Sequence, residues 1–193
     1  MRREEIITIR NAAMEDAGTL LEIYGHYVRS TAISFEYEVP SEVEFRRRME
    51  NTMQHYPYLV AEQDGQIQGY AYAGAFNARA AYDWCCETTI YLRRDARKHG
   101  MGRMLYDALE EALGKMGMLN LYALVAVPEE DDEYLSTNSR DFHLHLGFRE
   151  VGVYRRCGYK FGRWYNMACM EKIIGEHEAG QRAVVPYPML TEK

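Results

Sequence analysis

Two glycines follow a run of basic side chains in the stretch ARKHGMGRML, residues 96–105. A strand-like run precedes it, and a helical pattern begins near Gly102. The first N–H groups of a helix have no acceptor inside the helix and carry partial positive charge. A glycine loop leading into that end lets these groups reach an anion, to which Arg97, Lys98 and Arg103 would add charge. The G-x-G pattern alone fits a phosphate cradle and an ordinary turn about equally well.

Glu87 is the side chain best suited to general base chemistry. It lies within WCCETTIYLRR, residues 84–94, a predicted strand rich in β-branched and aromatic residues. An unpaired carboxylate among such neighbours should have a raised pKa, as a general base requires. A salt-bridged or solvent-facing glutamate fits the spacing as well. By spacing alone, that structural role is favoured by roughly two to one.

His143 and His145 form an H-x-H pair in a predicted helix. On a helix these two side chains lie about 200° apart, so they are not expected to ligate one metal ion together. A neutral imidazole at position 143 could donate a proton, accept one, or serve only to pack or bind substrate. The sequence predicts no metal site.

Composition limits the classes of protein. The chain has 193 residues and a net charge of −6, which argues against general nucleic-acid binding. The N-terminal stretch lacks the apolar run of a signal peptide, and no segment is long enough to span a membrane. The four cysteines form no C-x-x-C pair, and adjacent Cys85 and Cys86 are poorly placed for a disulfide. Reduced thiols and a cytoplasmic location are expected.

The periodicity of apolar residues predicts one α/β domain, residues 1–175, with a mixed sheet flanked by helices, followed by a surface-lying tail, residues 176–193. Asp64-Gly65 predicts a hairpin turn, and Ser41 with Glu44 predicts a helix start. The acidic run 129–133 is expected to be a solvated loop that complements the next helix. The predicted strands are 6–10, two runs within 58–76, 84–94, 119–127, 148–156 and 164–172, the predicted helices are 13–31, 41–55, 102–116 and 136–146, and 32–40 is expected to be extended.

Residues 97–102 match the pattern [QR]-x-x-G-x-[GA] of the acetyl-CoA loop in the Gcn5-related N-acetyltransferases. The dinucleotide-binding fingerprint fits less well, since its third glycine is Leu105 here. The chain also resembles the phosphinothricin and methionine-sulfone acetyltransferase branch over most of residues 6–173. The stretches that carry this likeness are VRSTAISFE, YPYLVAEQDGQIQGYAYAG, NARAAYDWCCETTIYL, HLHLGF and GYKFGRW.

The resemblance implies a single-domain fold with a mixed, mostly antiparallel central sheet, and acetyl-CoA as cofactor. It implies Glu87 as the catalytic base and places His143 where the superfamily has a proton donor. The candidate substrate contacts are Phe35, Arg79 and Tyr82. Arg79 would hold a carboxylate, although a surface-loop role fits about equally well, and core packing is favoured over a pocket wall for Phe35. The expected cofactor contacts are Thr89, Ile90, Tyr91, Leu92, Arg97, Lys98, His99, Gly100, Met101, Gly102, Arg103, Ser136, Asn138 and Ser139. Within that set, Ile90 and Leu92 are expected to serve the acetyl carbonyl, and Ser136 replaces the usual asparagine.

The function that follows is an acetyl-CoA-dependent N-acetyltransferase acting on a small primary amine, an amino acid or a close analogue. Attack of the deprotonated amine is expected to be direct, because Cys85 and Cys86 have no partner suited to a nucleophile. The alternatives are acetylation of a polyamine, an aminoglycoside or a protein N-terminus, and a noncatalytic acyl-CoA-binding module. The branch is typically homodimeric, so a homodimer is expected.

Overall fold

The computed structural model describes residues 7–96 and 100–191. The strands are β1 (Ile7–Asn11), β2 (Tyr58–Gln63), β3 (Gln66–Ala75), β4 (Cys85–Leu92), β5 (Asn120–Val127), β6 (Arg149–Lys160) and β7 (Arg163–Ile173). The helices are α1 (Ala17–Ser30), α2 (Glu42–Met53), α3 (Met101–Met116), α4 (Asn138–His145) and α5 (Pro188–Thr191), with short 3₁₀ turns at Met14–Asp16 and Ala80–Tyr82.

The seven strands form one sheet in the order β1-β2-β3-β4-β5-β7-β6. Only β4 and β5 run parallel among these neighbours, since α3 carries the chain back between them, and every other pair is antiparallel. The predicted single α/β domain with a mixed, mostly antiparallel sheet is therefore confirmed.

The sheet has a helix layer on each side. Helices α1 and α2 cover one face, where their apolar stripes pack on tyrosines of β2, β3 and β4. Helix α3 covers the other face through residues spaced three and four apart, such as Leu105 and Leu109. Side chains alternate along β4, so Cys86, Ile90 and Leu92 face α3, whereas Tyr91 faces α1. Side chains on the two faces of β4 therefore pack into two different parts of the core, one under α3 and one under α1 and α2.

Local chemistry sets the turns. The Ser41 hydroxyl accepts the N–H of Glu44 and caps α2, as predicted. Asp64 and Gly65 have φ angles of 51° and 78°, as a tight hairpin between β2 and β3 requires, which confirms the predicted turn. Gly100 precedes α3 with φ 78°, a conformation that glycine adopts at little cost.

Two parts of the chain differ from the sequence prediction. Residues 32–40 form bends and no strand, because their polar groups bond to side chains and to distant loops instead of a strand. The last hairpin is longer than expected: β6 continues through Cys157–Lys160, where a loop was predicted, and turns at Phe161-Gly162.

The segment after β7 crosses the end of the sheet. The Trp84 indole donates to the carbonyl of Arg182 at 2.6 Å, and the N–H of Val185 donates to Met116. Tyr187 then bonds to His55 through its backbone and to Asn11 through its hydroxyl. These contacts tie the segment to the start of β4, the end of α3 and the end of β1.

Candidate active site

A wedge-shaped gap opens between the two parallel strands. Strands β4 and β5 pair only from Cys85–Asn120 to Glu87–Tyr122, after which they diverge. The gap holds a cavity of about 120 Å³. It is lined by Ile33, Glu87, Thr88, Thr89, Ile90, Tyr91, Ala123, Leu124, Val125, Ala126, Ser139 and His143. Four predicted site residues of β4 and two of α4 therefore meet in one place.

Main-chain groups of β4 face this gap. The main-chain N–H of Arg93 donates to the carbonyl of Gln68, on the edge of β4 that faces β3. Along an antiparallel pair, the main-chain groups of successive residues point alternately toward the partner strand and away from it. The N–H and C=O of Ile90 and Leu92 therefore point the other way, toward the gap, as predicted for an acyl-binding strand. Leu92 has a protein partner there: its carbonyl accepts the Tyr27 hydroxyl at 2.5 Å, and its N–H lies 3.3 Å from the same oxygen. Ile90 is thus the better placed of the two for a ligand.

Glu87 projects toward the α1 side of the sheet. It lies opposite Gly74 on β3 and Tyr122 on β5, and a side-chain atom placed on Gly74 would meet nothing within 4 Å. No hydrogen bond or ion pair holds its carboxylate within the part of the chain that the structure describes. Burial raises the pKa of Glu87, because the charged form is poorly solvated there. An unpaired carboxylate beside open space can accept a proton from a ligand.

His143 lies on the opposite side of the gap and is 4% exposed. Its Nδ1 is 2.7 Å from the Ser139 carbonyl, which can only accept, so Nδ1 carries the proton in the neutral ring. Nε2 then accepts the Tyr106 hydroxyl at 2.8 Å. Burial lowers the pKa of His143 and favours the neutral imidazole. Both ring nitrogens therefore have partners inside the protein.

Tyr106 is a site residue that the sequence did not reveal. Its hydroxyl donates to His143 and lies 3.2 Å from the Thr88 hydroxyl, whose single proton can go either to Tyr106 or to the carbonyl of Tyr122 at 3.1 Å. When Thr88 donates to Tyr106, this buried chain of hydrogen bonds connects β4, α3 and α4. Tyr106 belongs to the apolar stripe of α3, so its pattern in the sequence is that of a core residue.

The loop and helix start that were predicted to bind phosphate lie at the carboxyl end of β4. Arg97, Lys98 and His99 lie outside the described residues. The main-chain N–H groups of Met101, Gly102 and Arg103 occupy the first turn of α3 and have no acceptor within the helix. Among the described residues outside this turn, no atom lies within 4 Å of a side-chain position on Gly100, so none of them blocks an anion at this helix end.

Two of these residues also have structural contacts. A side-chain atom on Gly102 would lie 3.0 Å from the Phe142 ring, so this glycine allows α3 and α4 to pack closely. Arg103 donates to the His145 carbonyl at 3.0 Å and covers the end of α4.

The predicted cofactor contacts of α4 divide in two. Ser139 lines the gap. Ser136 accepts the N–H of Asn138 at 3.5 Å, and neither residue is among those that line the gap.

The predicted substrate contacts Phe35, Arg79 and Tyr82 are not among the residues that line the gap. Phe35 packs on the last hairpin against Gly158 and Tyr165, while Ile33 of the same loop lines the gap. Arg79 is exposed, and its main-chain N–H donates to the side-chain oxygen of Asn77. The Tyr82 ring contacts Phe76, which packs on Tyr122 with ring centroids 4.3 Å apart. Because Tyr122 is the β5 neighbour of Glu87, this aromatic row leads from Tyr82 to the base.

The acidic run 129–133 is more bonded than expected. Asp132 pairs with Arg163 and accepts the Tyr165 hydroxyl, while Glu129 pairs with Arg156. These contacts attach the run to the β6–β7 hairpin. Asp131 also accepts the N–H of Thr137 just before α4, the complement to that helix that was predicted.

Other chemistries find little support at this site. Burial raises the pKa of Cys86 far above its usual range, so this thiol stays protonated, and all four cysteines are free. Across residues 7–96 and 100–191, no three His, Cys, Asp or Glu side chains are grouped to hold a metal ion. In those same ranges no helix is long and apolar enough to cross a membrane.

Comparison with known proteins gives consistent matches. Residues 9–169 match the family model described as an acetyltransferase (GNAT) domain. A phosphinothricin N-acetyltransferase of Streptomyces viridochromogenes is 31% identical over 166 residues, which cover 86% of this chain and 87% of the relative. An L-methionine sulfoximine/L-methionine sulfone acetyltransferase of Pseudomonas aeruginosa is 32% identical over 167 residues, 85% of this chain and 92% of the relative.

A solved structure is similar over nearly the whole chain. It is a GNAT superfamily phosphinothricin acetyltransferase from Sinorhizobium meliloti, in complex with acetyl-CoA. Its TM-score is 0.82 at 32% identity, and the match covers 92% of this chain and 93% of that one.

Proposed function

The chain belongs to the acetyltransferase (GNAT) domain family, and on that premise we propose that it transfers the acetyl group of acetyl-CoA to the primary amine of a small molecule. One observation carries the proposal. Within the described residues, the gap between β4 and β5 has a half-buried glutamate without a bonded partner on the α1 side, and the main-chain groups of Ile90 along its edge. A general base for the amine and main-chain groups that could bind the acyl donor thus lie at the same gap.

The residues present fit acetyl-CoA. The open edge of β4 at Ile90 would offer its C=O to an amide N–H of a pantetheine arm, as a neighbouring strand would, which leaves the Ile90 N–H for the thioester carbonyl. The first turn of α3, entered through Gly100, offers three N–H groups to the pyrophosphate. Arg97, Lys98 and His99 would add contacts at that end. When bound, acetyl-CoA supplies an activated thioester carbonyl.

Glu87 is the general base in this mechanism. Its carboxylate takes a proton from the substrate ammonium, and its raised pKa brings it closer to the pKa of the group it must deprotonate. The Ile90 N–H donates to the carbonyl oxygen as that oxygen gains negative charge. The amine nitrogen would attack the thioester carbonyl directly, the carbon–sulfur bond would break, and the departing thiolate would take up the second amine proton. No acyl-enzyme is needed, and the buried Cys86 thiol stays protonated.

His143 lines the gap as a neutral imidazole. Because both of its nitrogens are bonded, to Ser139 and Tyr106, its position favours holding α4 at the gap over direct donation of a proton to the leaving sulfur. We therefore expect substitution of Glu87 to reduce the rate more than substitution of His143.

The acceptor is an amino acid or a close analogue, of the phosphinothricin, methionine sulfone or methionine sulfoximine type. This assignment rests on the substrates named for relatives that are 31% and 32% identical. Arg79, which is exposed and shortly precedes Tyr82 in the chain, is suited to a substrate carboxylate. An amine without a carboxylate, such as a polyamine or an aminoglycoside, would not need this arginine.

The wider setting is proposed on physical grounds. Residues 1–175 form the catalytic domain and residues 176–193 a tail, and free cysteines suit the reducing cytoplasm. Residues Arg149–Cys157 of β6 are exposed on both faces, including Val151, Val153 and Tyr154. A strand so uncovered, with apolar side chains, favours a homodimer that buries it. Light scattering behind gel filtration tests the dimer.

The experiment is thiol release from acetyl-CoA with a panel of amines. We expect release with phosphinothricin and methionine sulfone, and weaker release with spermidine, an aminoglycoside or a peptide. Arg79→Ala should raise KM for the amino acids and leave KM for spermidine nearly unchanged. Binding of acetyl-CoA without thiol release on any amine would identify a noncatalytic acyl-CoA-binding module and refute the proposal.

A further inference from the structure

Lys160 is a buried ammonium group that the reaction above does not use. It stands at the end of β6 and is 3% exposed. Its Nζ donates to three main-chain carbonyls, those of Val28 at 2.8 Å, Thr31 at 2.9 Å and Ser34 at 2.6 Å. A buried ammonium is costly unless all its donors are used, and here all three are. Such a group needs a structural reason to be there.

The three acceptors lie on one segment. Val28 is in the last turn of α1, where a cation is favourable, and Thr31 and Ser34 belong to the loop of residues 31–36. Ile33 lies between these two carbonyls in sequence and lines the gap together with Glu87. Lys160 thus holds the backbone on both sides of a residue that contacts the site.

Shape complementarity supports the same contact. A side-chain atom on Gly158, two residues before Lys160, would lie only 2.1 Å from the Phe35 ring. The ring of Phe35 therefore occupies the space that this glycine leaves on β6. The 31–36 loop is fitted to the hairpin by a ring and by an ammonium, so its position depends on that distant strand pair.

We propose that Lys160 is a positioning residue that holds the 31–36 loop at the part of the gap lined by Glu87, where the amine would bind. The inference rests on the proposed function where it concerns the amine, whereas the order of the loop can be measured without any reaction. Loss of the ammonium releases three carbonyls and lets Ile33 move from its place in the lining of the gap. Lys160 makes its three hydrogen bonds to residues 28–34, so the first turn of α3, which would bind the pyrophosphate, should keep its geometry.

The experiment compares Lys160→Met with Lys172→Met. Lys172 is a matched control, since it also donates to a carbonyl, that of Leu146, and pairs with Glu110 on the other side of the sheet. Hydrogen exchange of the unliganded protein is followed at the amides of Ala32, Ile33 and Glu36, which bond to Tyr134, Thr31 and Ser34. KM for the amine and KM for acetyl-CoA are measured on the same samples.

For Lys160→Met we expect exchange at these amides to rise about tenfold and KM for the amine to rise about tenfold or more, with KM for acetyl-CoA within about twofold. Lys172→Met should change neither the loop exchange nor the ratio of the two KM values. If Lys160→Met does not fold, Lys160→Arg replaces it and should show a smaller change of the same kind.

Unchanged exchange at the 31–36 loop, or equal effects of the two methionine variants, would overturn the inference. Failure of the wild-type protein to acetylate any amine would refute the proposed function instead, and the exchange result would still decide whether Lys160 holds the loop.

Discussion

Removal of the Tyr106 hydroxyl gives a sharp test of the buried hydrogen-bond chain behind the gap. In Tyr106→Phe the ring still fills the core, but His143 Nε2 loses the donor that lies 2.8 Å away. Thr88 can still donate to the carbonyl of Tyr122. The main loss is therefore the hydrogen bond to His143 Nε2, which is left without a partner in a buried side chain. Leaving a buried polar group without its partner costs about 1–3 kcal/mol.

That cost converts to a change in melting temperature. For a chain of this length, each kcal/mol lowers Tm by about 2–4 °C, so we expect a decrease of roughly 2–12 °C. Scanning calorimetry measures it, with Tyr154→Phe as the control, because the Tyr154 ring is 62% exposed and its change should leave Tm nearly unaltered. Nitrogen NMR of His143 should also show the Nδ1–H tautomer in the wild type. A variant that melts within about 1 °C of the wild type would refute the role given to this hydroxyl.

Three further changes test other parts of the site. Gly74→Val fills the open space across from Glu87. Steady-state kinetics should show a raised KM for the amine and an unchanged KM for acetyl-CoA. A raised KM for acetyl-CoA alone would contradict the placement of the amine at Glu87. Burial holds the pKa of His143 below its ordinary value of 6.5, so the folded state binds this proton less readily than the unfolded chain. The unfolding free energy should therefore fall as pH drops below about 6.5, and urea titrations of His143→Gln should lack that component of the decrease. Gly102→Val forces the Phe142 ring away from α3 and should cost about 1–3 kcal/mol in urea unfolding, and a neutral result would mean that α3 and α4 are not closely packed there.

Local patterns predicted much of the fold. The Asp64-Gly65 turn, the Ser41 cap and the apolar stripe of α3 follow from rules that act over a few residues, and each was found where expected. Glu87 and the edge of β4 could be placed because they belong to one strand. The parallel pairing of β4 and β5, and the gap that follows it, depend on a crossover that local periodicity does not encode.

The parts that the sequence did not predict involve contacts between distant residues. Tyr27 bonds to Leu92 across 65 positions, and Tyr106 bonds to His143 across 37. Lys160 meets Ser34 across 126 positions. In each case the residue looks like an ordinary core or surface side chain until the chain is folded. The length of the last hairpin was also missed, because Gly158 reads as a turn residue but serves here to admit the Phe35 ring.

The most direct test of the central claim is the rate of N-acetyl product formation by the wild type and by Glu87→Gln, followed by mass spectrometry over a range of pH with acetyl-CoA and phosphinothricin or methionine sulfone. General base catalysis by a positioned side chain contributes about 10²–10⁴-fold, so the variant should lose activity on that scale at neutral pH. The wild-type rate should fall on the acidic side at a pH above the ordinary glutamate range, since burial raises the pKa of Glu87. That acidic limb should be absent from the residual activity of the variant. Equal rates for the two proteins across the pH range would contradict the account.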